Sequence, residues 1–138
     1  MIVRRAAKDD IPRLVELGLL FHAKSPYSVM TYDPERVALT LESALESGVV
    51  VVHGHPIDGM AAAIKGPMWF ADAYAAQEVF LWGRGGKEMR EALEEWAREQ
   101  GCETFSMVCL ENDRMPTVAR MYRMAGYRPT EHHFVKAL

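Results

Sequence analysis

A glycine-rich loop is the part of the sequence best suited to chemistry. Glu78 and the apolar stretch 79–82 run into GRGG (83–86), and an amphipathic pattern then continues to residue 100. Glycines let a backbone approach a ligand closely, and the first amides of a helix are unpaired donors at the positive end of its dipole. With Arg84 and Lys87 alongside, the stretch predicts a site for a phosphate-bearing anion. A plain tight connection between a strand and a helix is the alternative interpretation.

The loop lacks the spacing of two common nucleotide sites. A Walker loop would continue into Gly-Lys-Ser or Gly-Lys-Thr, which does not follow residue 86. A dinucleotide fingerprint would end the following strand with an acidic residue roughly 20 positions on, whereas the predicted strand 104–110 ends with Leu110. The anion site that the loop predicts is therefore of another kind.

A second candidate for chemistry is Tyr122, in a short amphipathic stretch over 115–125 that Gly126 ends. The spacing places Tyr122 beside Met121 on the inward face of the predicted helix. A buried tyrosine needs a hydrogen-bond partner for its hydroxyl, or the hydroxyl points into a cavity. Filling of the core is the alternative interpretation for this side chain.

The elements that must position these residues alternate in the order β-α-α-β-β-β-α-β-α-β. The strands are expected over 2–6, 49–53, 57–65, 77–82, 104–110 and 127–136, and the helices over 9–23, 33–48, 86–100 and 115–125. The strand–helix–strand unit over 78–110 requires a parallel pair of strands, whereas the predicted hairpin requires an antiparallel pair. The sequence therefore predicts an α/β fold with a mixed sheet.

Composition limits the class of protein. The chain has 138 residues, 49% of them hydrophobic and 25% charged, which suits one globular domain over 1–138. A net charge of -3 argues against nucleic acid or an anionic membrane as partner, and no apolar run reaches the ~20 residues of a membrane span. Cys102 and Cys109 are expected to be reduced core thiols, so a cytoplasmic protein without a metal ion is predicted.

Taken in this order, the elements and motifs resemble the GNAT superfamily of acyl-CoA-dependent N-acyltransferases, in particular its small bacterial and phage-type members. The resemblance covers nearly the whole chain and includes the glycine loop and a Tyr-x-x-x-Gly-[Phe/Tyr] signature at Tyr122, Gly126 and Tyr127. It implies a mostly antiparallel sheet with helices on both faces. A homodimer is one assembly that the resemblance implies.

The resemblance also implies acetyl-CoA as cosubstrate. In the family, main-chain amides of the loop bind the pyrophosphate, and the strand before the loop pairs with the pantetheine arm. The implied cofactor-binding residues are Val79, Phe80 and Leu81 for the arm, and Arg84, Gly85, Gly86, Lys87 and Glu88 for the pyrophosphate. The loop departs from the family pattern Arg/Gln-x-x-Gly-x-Gly/Ala, since Arg84 stands at the first glycine.

By the same resemblance, Tyr122 is the general acid that protonates the departing thiolate. Glu78, on the strand before the loop, is the implied general base, with a solvent-facing or ion-paired side chain as its alternative role. His132 and His133 are further candidates for the base, since neutral imidazole is available near pH 7. On the acceptor side, the resemblance points to His22 and Tyr32 in the loop that follows the first helix, and to His133 near the end of the chain. Capping or packing is the alternative role for His22.

The function implied is an acetyl-CoA-dependent N-acetyltransferase that acts on a primary amine of a small molecule or a protein. A GNAT-fold protein that binds CoA without catalysis, or acts as an interaction partner, is the second hypothesis, and the altered loop pattern favours it. Acylation of nucleic acid is a third, and the acidic net charge of -3 argues against it.

Overall fold

A computed structural model of the chain describes residues 2–138, in which helices cover both faces of a five-stranded sheet. The strands are β1 (Val3–Arg5), β2 (Val49–His53), β3 (Gly59–Pro67), β4 (Tyr74–Gly83) and β5 (Thr104–Ser106). The helices are α1 (Ile11–Lys24), α2 (Pro34–Ser47), α3 (Gly86–Glu99) and α4 (Met115–Met124). Short 3-10 turns lie at Lys8–Asp10 and Pro26–Val29. None of the helices in this range is long and apolar enough to cross a membrane.

The sheet has the spatial order β1-β2-β3-β4-β5, so neighbours in sequence are also neighbours in space. The first three pairs are antiparallel. The last pair, β4 with β5, is parallel, because α3 carries the chain back across the sheet between them. The mixed, mostly antiparallel sheet that the sequence predicts is confirmed.

The core has two halves, one on each face of the sheet. On one face α1 and α2 pack against Val50, Val52 and Ala62, and on the other α3 packs against Val49, Val51, Ala61 and Ala63. The run Val49–Val52 is therefore apolar throughout, because both of its faces are covered. The alanines of β3 are fully buried, and their small size lets the helices lie close to the sheet.

The helix ends follow the sequence signals. The Asp33 carboxylate caps α2 by accepting from the Glu35 N–H at 3.0 Å. The predicted apolar stripe of α3 is buried in the second core half, with Met89 and Leu93 fully enclosed. In α4 the expected inward position of Met121 is wrong, since 49% of that residue is exposed.

Two predicted strands differ in the structure. The strand expected over 104–110 ends at Ser106, because the Val108 N–H donates to the Glu78 carboxylate instead of to a neighbouring strand. Within the described residues, 127–136 form no strand, and Phe134 is 94% exposed. A strand needs a partner edge, and β5, the last strand of the sheet, offers three residues for pairing.

Candidate active site

A β-bulge in β4 decides which way Glu78 faces. Ala62 pairs with Phe80 and Ala63 pairs with Glu78, so Val79 has no partner in β3. In a regular strand Glu78 would share a face with Phe80, because side chains alternate with a period of two. The extra residue moves the Glu78 side chain to the opposite face, which α3 covers.

Glu78 and Tyr122 meet at one peptide segment beyond the end of β5. The Val108 N–H donates to the Glu78 carboxylate at 3.0 Å, and the Tyr122 hydroxyl donates to the Val108 carbonyl at 3.2 Å. Both side chains line a cavity of about 170 Å³. The other lining residues are aromatic or aliphatic: Phe21, Tyr27, Val79, Leu81, Val108 and Leu110. The two predicted catalytic residues are thus brought together in a largely apolar enclosure.

The enclosure changes the acidity of both groups. Burial raises the pKa of Glu78 to about 7, against the smaller opposing effect of its hydrogen bond from Val108. Burial also raises the pKa of Tyr122, and the negative charges of Glu78 and Cys109 raise it further, while Arg90 lowers it. Near neutral pH the site therefore holds a protonated phenol and a carboxyl group that exchanges its proton readily.

The glycine loop is shaped by contact with the β2–β3 turn. Gly83 and Gly85 have φ values of +91° and +75°, which side chains rarely adopt. A Cβ atom on Gly83 would overlap the Asp58 carbonyl, and one on Gly85 would overlap the His53 ring. These two glycines are needed by the packing of the protein itself, a requirement that the sequence alone did not indicate.

The loop leaves free amides at the start of α3. One predicted pyrophosphate donor is already used within the protein, because the Arg84 N–H donates to the Asp58 carbonyl at 3.0 Å. Gly85 is the N-cap of α3 and offers no side-chain acceptor to the first turn, 86–88. These amides and the exposed Lys87 ammonium form an arrangement that favours an anion.

Exchange of Gly85 for alanine tests how the loop is held. We expect G85A to lower the free energy of unfolding by about 2–4 kcal/mol, since it adds left-handed strain and overlap with His53. Gly101 is a matched control, with φ +74° and no atom near its Cβ position. G101A is expected to cost about 1 kcal/mol, from the backbone strain alone. Urea unfolding measures both, and equal losses would contradict the packing role of Gly85.

The predicted acceptor-side residues do not line the cavity. His22 packs on Tyr32 with ring centroids 5.3 Å apart, and its Nε2 is buried without a hydrogen-bond partner among residues 2–138. The Tyr32 hydroxyl donates to the Val15 carbonyl at 2.8 Å and so ties its loop to α1. His133 is exposed beside the Glu131 carboxylate at 3.1 Å. The structure brings His22 and Tyr32 together, but it places none of the three predicted residues on the wall of the cavity.

The aromatic residues that do line the cavity on this side are Phe21 and Tyr27. Each is a close sequence neighbour of a predicted residue, at the end of α1 and in the turn after it. Phe21 also packs on Trp82 with centroids 5.4 Å apart. The available signal was the cluster of aromatic residues around a helix end, which identifies a region but not the side chain that faces inward.

Comparison with known proteins identifies the fold. No protein-family model matches the chain, and neither does any curated protein sequence. Among solved structures, a transcriptional regulator from Bacillus halodurans C-125 is 17% identical with a TM-score of 0.75, over 99% of this chain and 98% of that one. A Trypanosoma brucei acetyltransferase is 19% identical with a TM-score of 0.73, over 99% and 98% of the two chains.

A third similar structure is an aminoglycoside acetyltransferase from an uncultured soil metagenomic sample, solved in complex with sisomicin. It is 19% identical with a TM-score of 0.70, over 99% of this chain and 95% of that one. At these identities the likeness is one of fold. The chain has the GNAT fold that its sequence predicts.

Proposed function

We propose that this protein is an acetyl-CoA-dependent N-acetyltransferase that acts on a primary amine. The observation that carries the proposal is the placement of Glu78 and Tyr122 at the N–H and the carbonyl of one residue, Val108, inside the apolar cavity. An acid and a base are what acyl transfer to an amine needs, since the amine loses a proton and the departing thiolate gains one. Two of the three similar structures are acetyltransferases, which supports the same class of reaction.

In this mechanism Glu78 is the general base. A carboxylate whose pKa lies at about 7 is matched to accept a proton near neutral pH, whereas an ordinary glutamate would be too weak a base. It takes a proton from the amine nitrogen as that nitrogen bonds to the thioester carbon. The apolar lining favours the uncharged amine as the attacking species.

Tyr122 is the general acid. Its hydroxyl proton passes to the sulfur as the carbon–sulfur bond breaks, which yields free CoA. The developing charge on the thioester oxygen needs a donor, and Val79 is the best-placed residue of the strand Val79–Leu81 because the bulge leaves it without a partner in β3. Acid, base and oxyanion donor then all lie around one cavity.

For the cosubstrate, the amides of Gly86, Lys87 and Glu88 are the proposed pyrophosphate donors. They stand at the uncapped start of α3, next to the end of the strand that would pair with the pantetheine arm. In this proposal Arg84 contributes only its positive charge, because its amide already donates to the Asp58 carbonyl.

The acceptor proposed is a small or slender amine. A volume of about 170 Å³ with Phe21 and Tyr27 in the wall suits an alkyl or ring carbon next to the reacting nitrogen. Because one similar acetyltransferase was solved with sisomicin, aminoglycosides belong in an acceptor panel with alkylamines and polyamines. His22, Tyr32 and His133 stay predictions for more distant acceptor contacts.

A second candidate is a GNAT-fold protein that binds CoA without catalysis. The occupied Arg84 amide favours it, because one expected pyrophosphate donor is lost. Turnover of acetyl-CoA with any amine of the panel would exclude this candidate, whereas CoA binding without turnover of the panel would favour it.

Binding of CoA is the first prediction to test. At one hundred times its dissociation constant, CoA should stabilise the fold by about 2.7 kcal/mol, measured as a rise in the thermal midpoint. ADP, which carries the diphosphate without the pantetheine arm, is the control and should stabilise less. The absence of any shift with CoA and acetyl-CoA would contradict both candidate functions.

A further inference from the structure

A largely buried arginine on α3 has no role in the reaction steps proposed for Glu78 and Tyr122. Arg90 is in the second turn of α3, and 11% of its side chain is exposed. Its Nε has no hydrogen-bond partner among residues 2–138, and the nearest carboxylate oxygen, on Glu94, is 3.8 Å away. Burial of a guanidinium with an incomplete set of acceptors costs free energy. Such a cost points to a use for the charge.

The surroundings of Arg90 connect it to Tyr122. The Glu94 carboxylate accepts from the Tyr127 hydroxyl at 2.5 Å, and the Tyr127 ring lies 5.8 Å from the Tyr122 ring, centroid to centroid. The Arg90 charge lowers the pKa of both tyrosines. It therefore acts on Tyr122 in the direction that favours the phenolate.

The other charges around Tyr122 act in the opposite direction. Glu78 on β4 and Cys109 after β5 both raise the pKa of Tyr122 when they are ionised, as does burial. The Glu94 carboxylate on α3 partly offsets the positive charge of Arg90, and it accepts the hydrogen bond of the neighbouring Tyr127 hydroxyl. When Glu78 accepts the amine proton, it loses its negative charge. That charge then no longer raises the pKa of Tyr122 against the lowering effect of Arg90.

We propose that Arg90 is a positioning residue for acyl transfer, whose guanidinium stabilises the Tyr122 phenolate formed as the thiolate departs. The inference rests on the proposed function. The amine nitrogen bonds to the thioester carbon and gives its proton to Glu78. The carbon–sulfur bond breaks, its electron pair stays on sulfur, and sulfur takes the Tyr122 proton. The proton gained by Glu78 balances the one lost by Tyr122, so no further reactant is needed.

The kinetic test compares Arg90→Gln with Arg90→Lys, which keeps the charge, and with Arg98→Gln as matched control. Arg98 is on the same helix, and 70% of its side chain is exposed. The probe is thiol release from acetyl-CoA with n-butylamine. We expect R90Q to lower kcat about tenfold with little change in the KM for acetyl-CoA, R90K to keep most of the activity, and R98Q to match the wild type.

A double-mutant cycle separates this role from a structural one. If Arg90 acts through the Tyr122 hydroxyl, R90Q causes no further loss of kcat when Tyr122 is already phenylalanine. An equal loss in both backgrounds would overturn the inference while leaving Tyr122 as the acid. A Tyr122→Phe variant as active as wild type would instead overturn the acid assigned in the proposed function.

A readout without turnover uses a fluorinated tyrosine at position 122, which ionises at lower pH and is followed by fluorine NMR. Loss of the Arg90 charge should raise its titration midpoint by about one pH unit, and R98Q should leave it unchanged. An unchanged midpoint in R90Q would overturn the inference. If R90Q does not fold, Arg90→Met removes the same charge with a side chain suited to the interior and is measured in its place.

Discussion

Replacement of Tyr122 by phenylalanine is expected to lower kcat for acetyl transfer by about a hundredfold, with little change in acetyl-CoA affinity. The ring keeps its packing, and the lost hydroxyl is the group that donates to the Val108 carbonyl at 3.2 Å in the cavity. Because the raised pKa of Tyr122 keeps the phenol protonated over the usable pH range, its proton is available to the thiolate throughout. Steady-state kinetics with an amine acceptor and calorimetric titration with CoA measure the two effects.

A matched control is Tyr74→Phe, which removes a tyrosine hydroxyl from the exposed start of β4. It should leave kcat unchanged. If Tyr122→Phe behaved in the same way as this control, Tyr122 would not be the acid.

Replacement of Glu78 by glutamine is expected to lower kcat/KM by about a hundredfold at neutral pH and to abolish its pH dependence near 7. Wild-type kcat/KM should rise as pH increases through about 7, because the carboxylate that forms there is the active base. The glutamine oxygen can still accept the Val108 N–H, so the cavity keeps its shape. A pH–rate profile over pH 5–9, an interval of about two units either side of the Glu78 pKa, gives the result. If Glu78→Gln kept the wild-type rise in kcat/KM near pH 7, Glu78 would be excluded as the base.

The same substitution should stabilise the fold at alkaline pH. Burial raises the pKa of Glu78 from 4.5 to about 7, so between these values the folded state binds more protons than the unfolded chain. Stability therefore falls as pH rises across this interval, by about 3 kcal/mol in all. Glu78→Gln should remove that loss of stability, so at pH 8 the variant should unfold at a higher urea concentration than the wild type.

The control for stability is Glu103→Gln, because Glu103 is an exposed carboxylate next to the start of β5. It should leave the pH dependence of unfolding as in the wild type. Equal urea midpoints for wild type and Glu78→Gln at pH 8 would contradict the buried, weakly acidic state of Glu78.

Much of the scaffold could be predicted from local sequence. Asp33 followed by proline marks a helix start, and the apolar spacing of 86–100 marks a stripe, because both are properties of neighbouring residues. The end of β5 could not be predicted in this way. The segment 104–110 has a strand-like alternation, but the Val108 amide is taken by a side chain from β4.

The candidate site could be predicted only in part, because some of its residues belong to local sequence patterns and others face the cavity through tertiary packing. Tyr122 and Glu78 follow from a family signature and a position on a strand, whereas Phe21 and Tyr27 face the cavity only through the packing of α1 and the turn after it. His22 directly follows Phe21, and Tyr32 lies in the segment after Tyr27, yet His22 and Tyr32 pack on each other instead. Which of several adjacent aromatic residues turns inward depends on contacts distant in sequence.

The sequence by itself determined the order of elements from β1 to α4, the start of a helix at Asp33 and the position of a glycine loop before a helix. Tertiary structure alone decided that a bulge at Val79 turns Glu78 toward Tyr122, and that Gly83 and Gly85 make room for the β2–β3 turn. The reason is physical. A period of two fixes the face of a side chain only while every residue is paired, and pairing is a property of two strands. The pKa of Glu78 likewise depends on burial, which the assembled cavity creates.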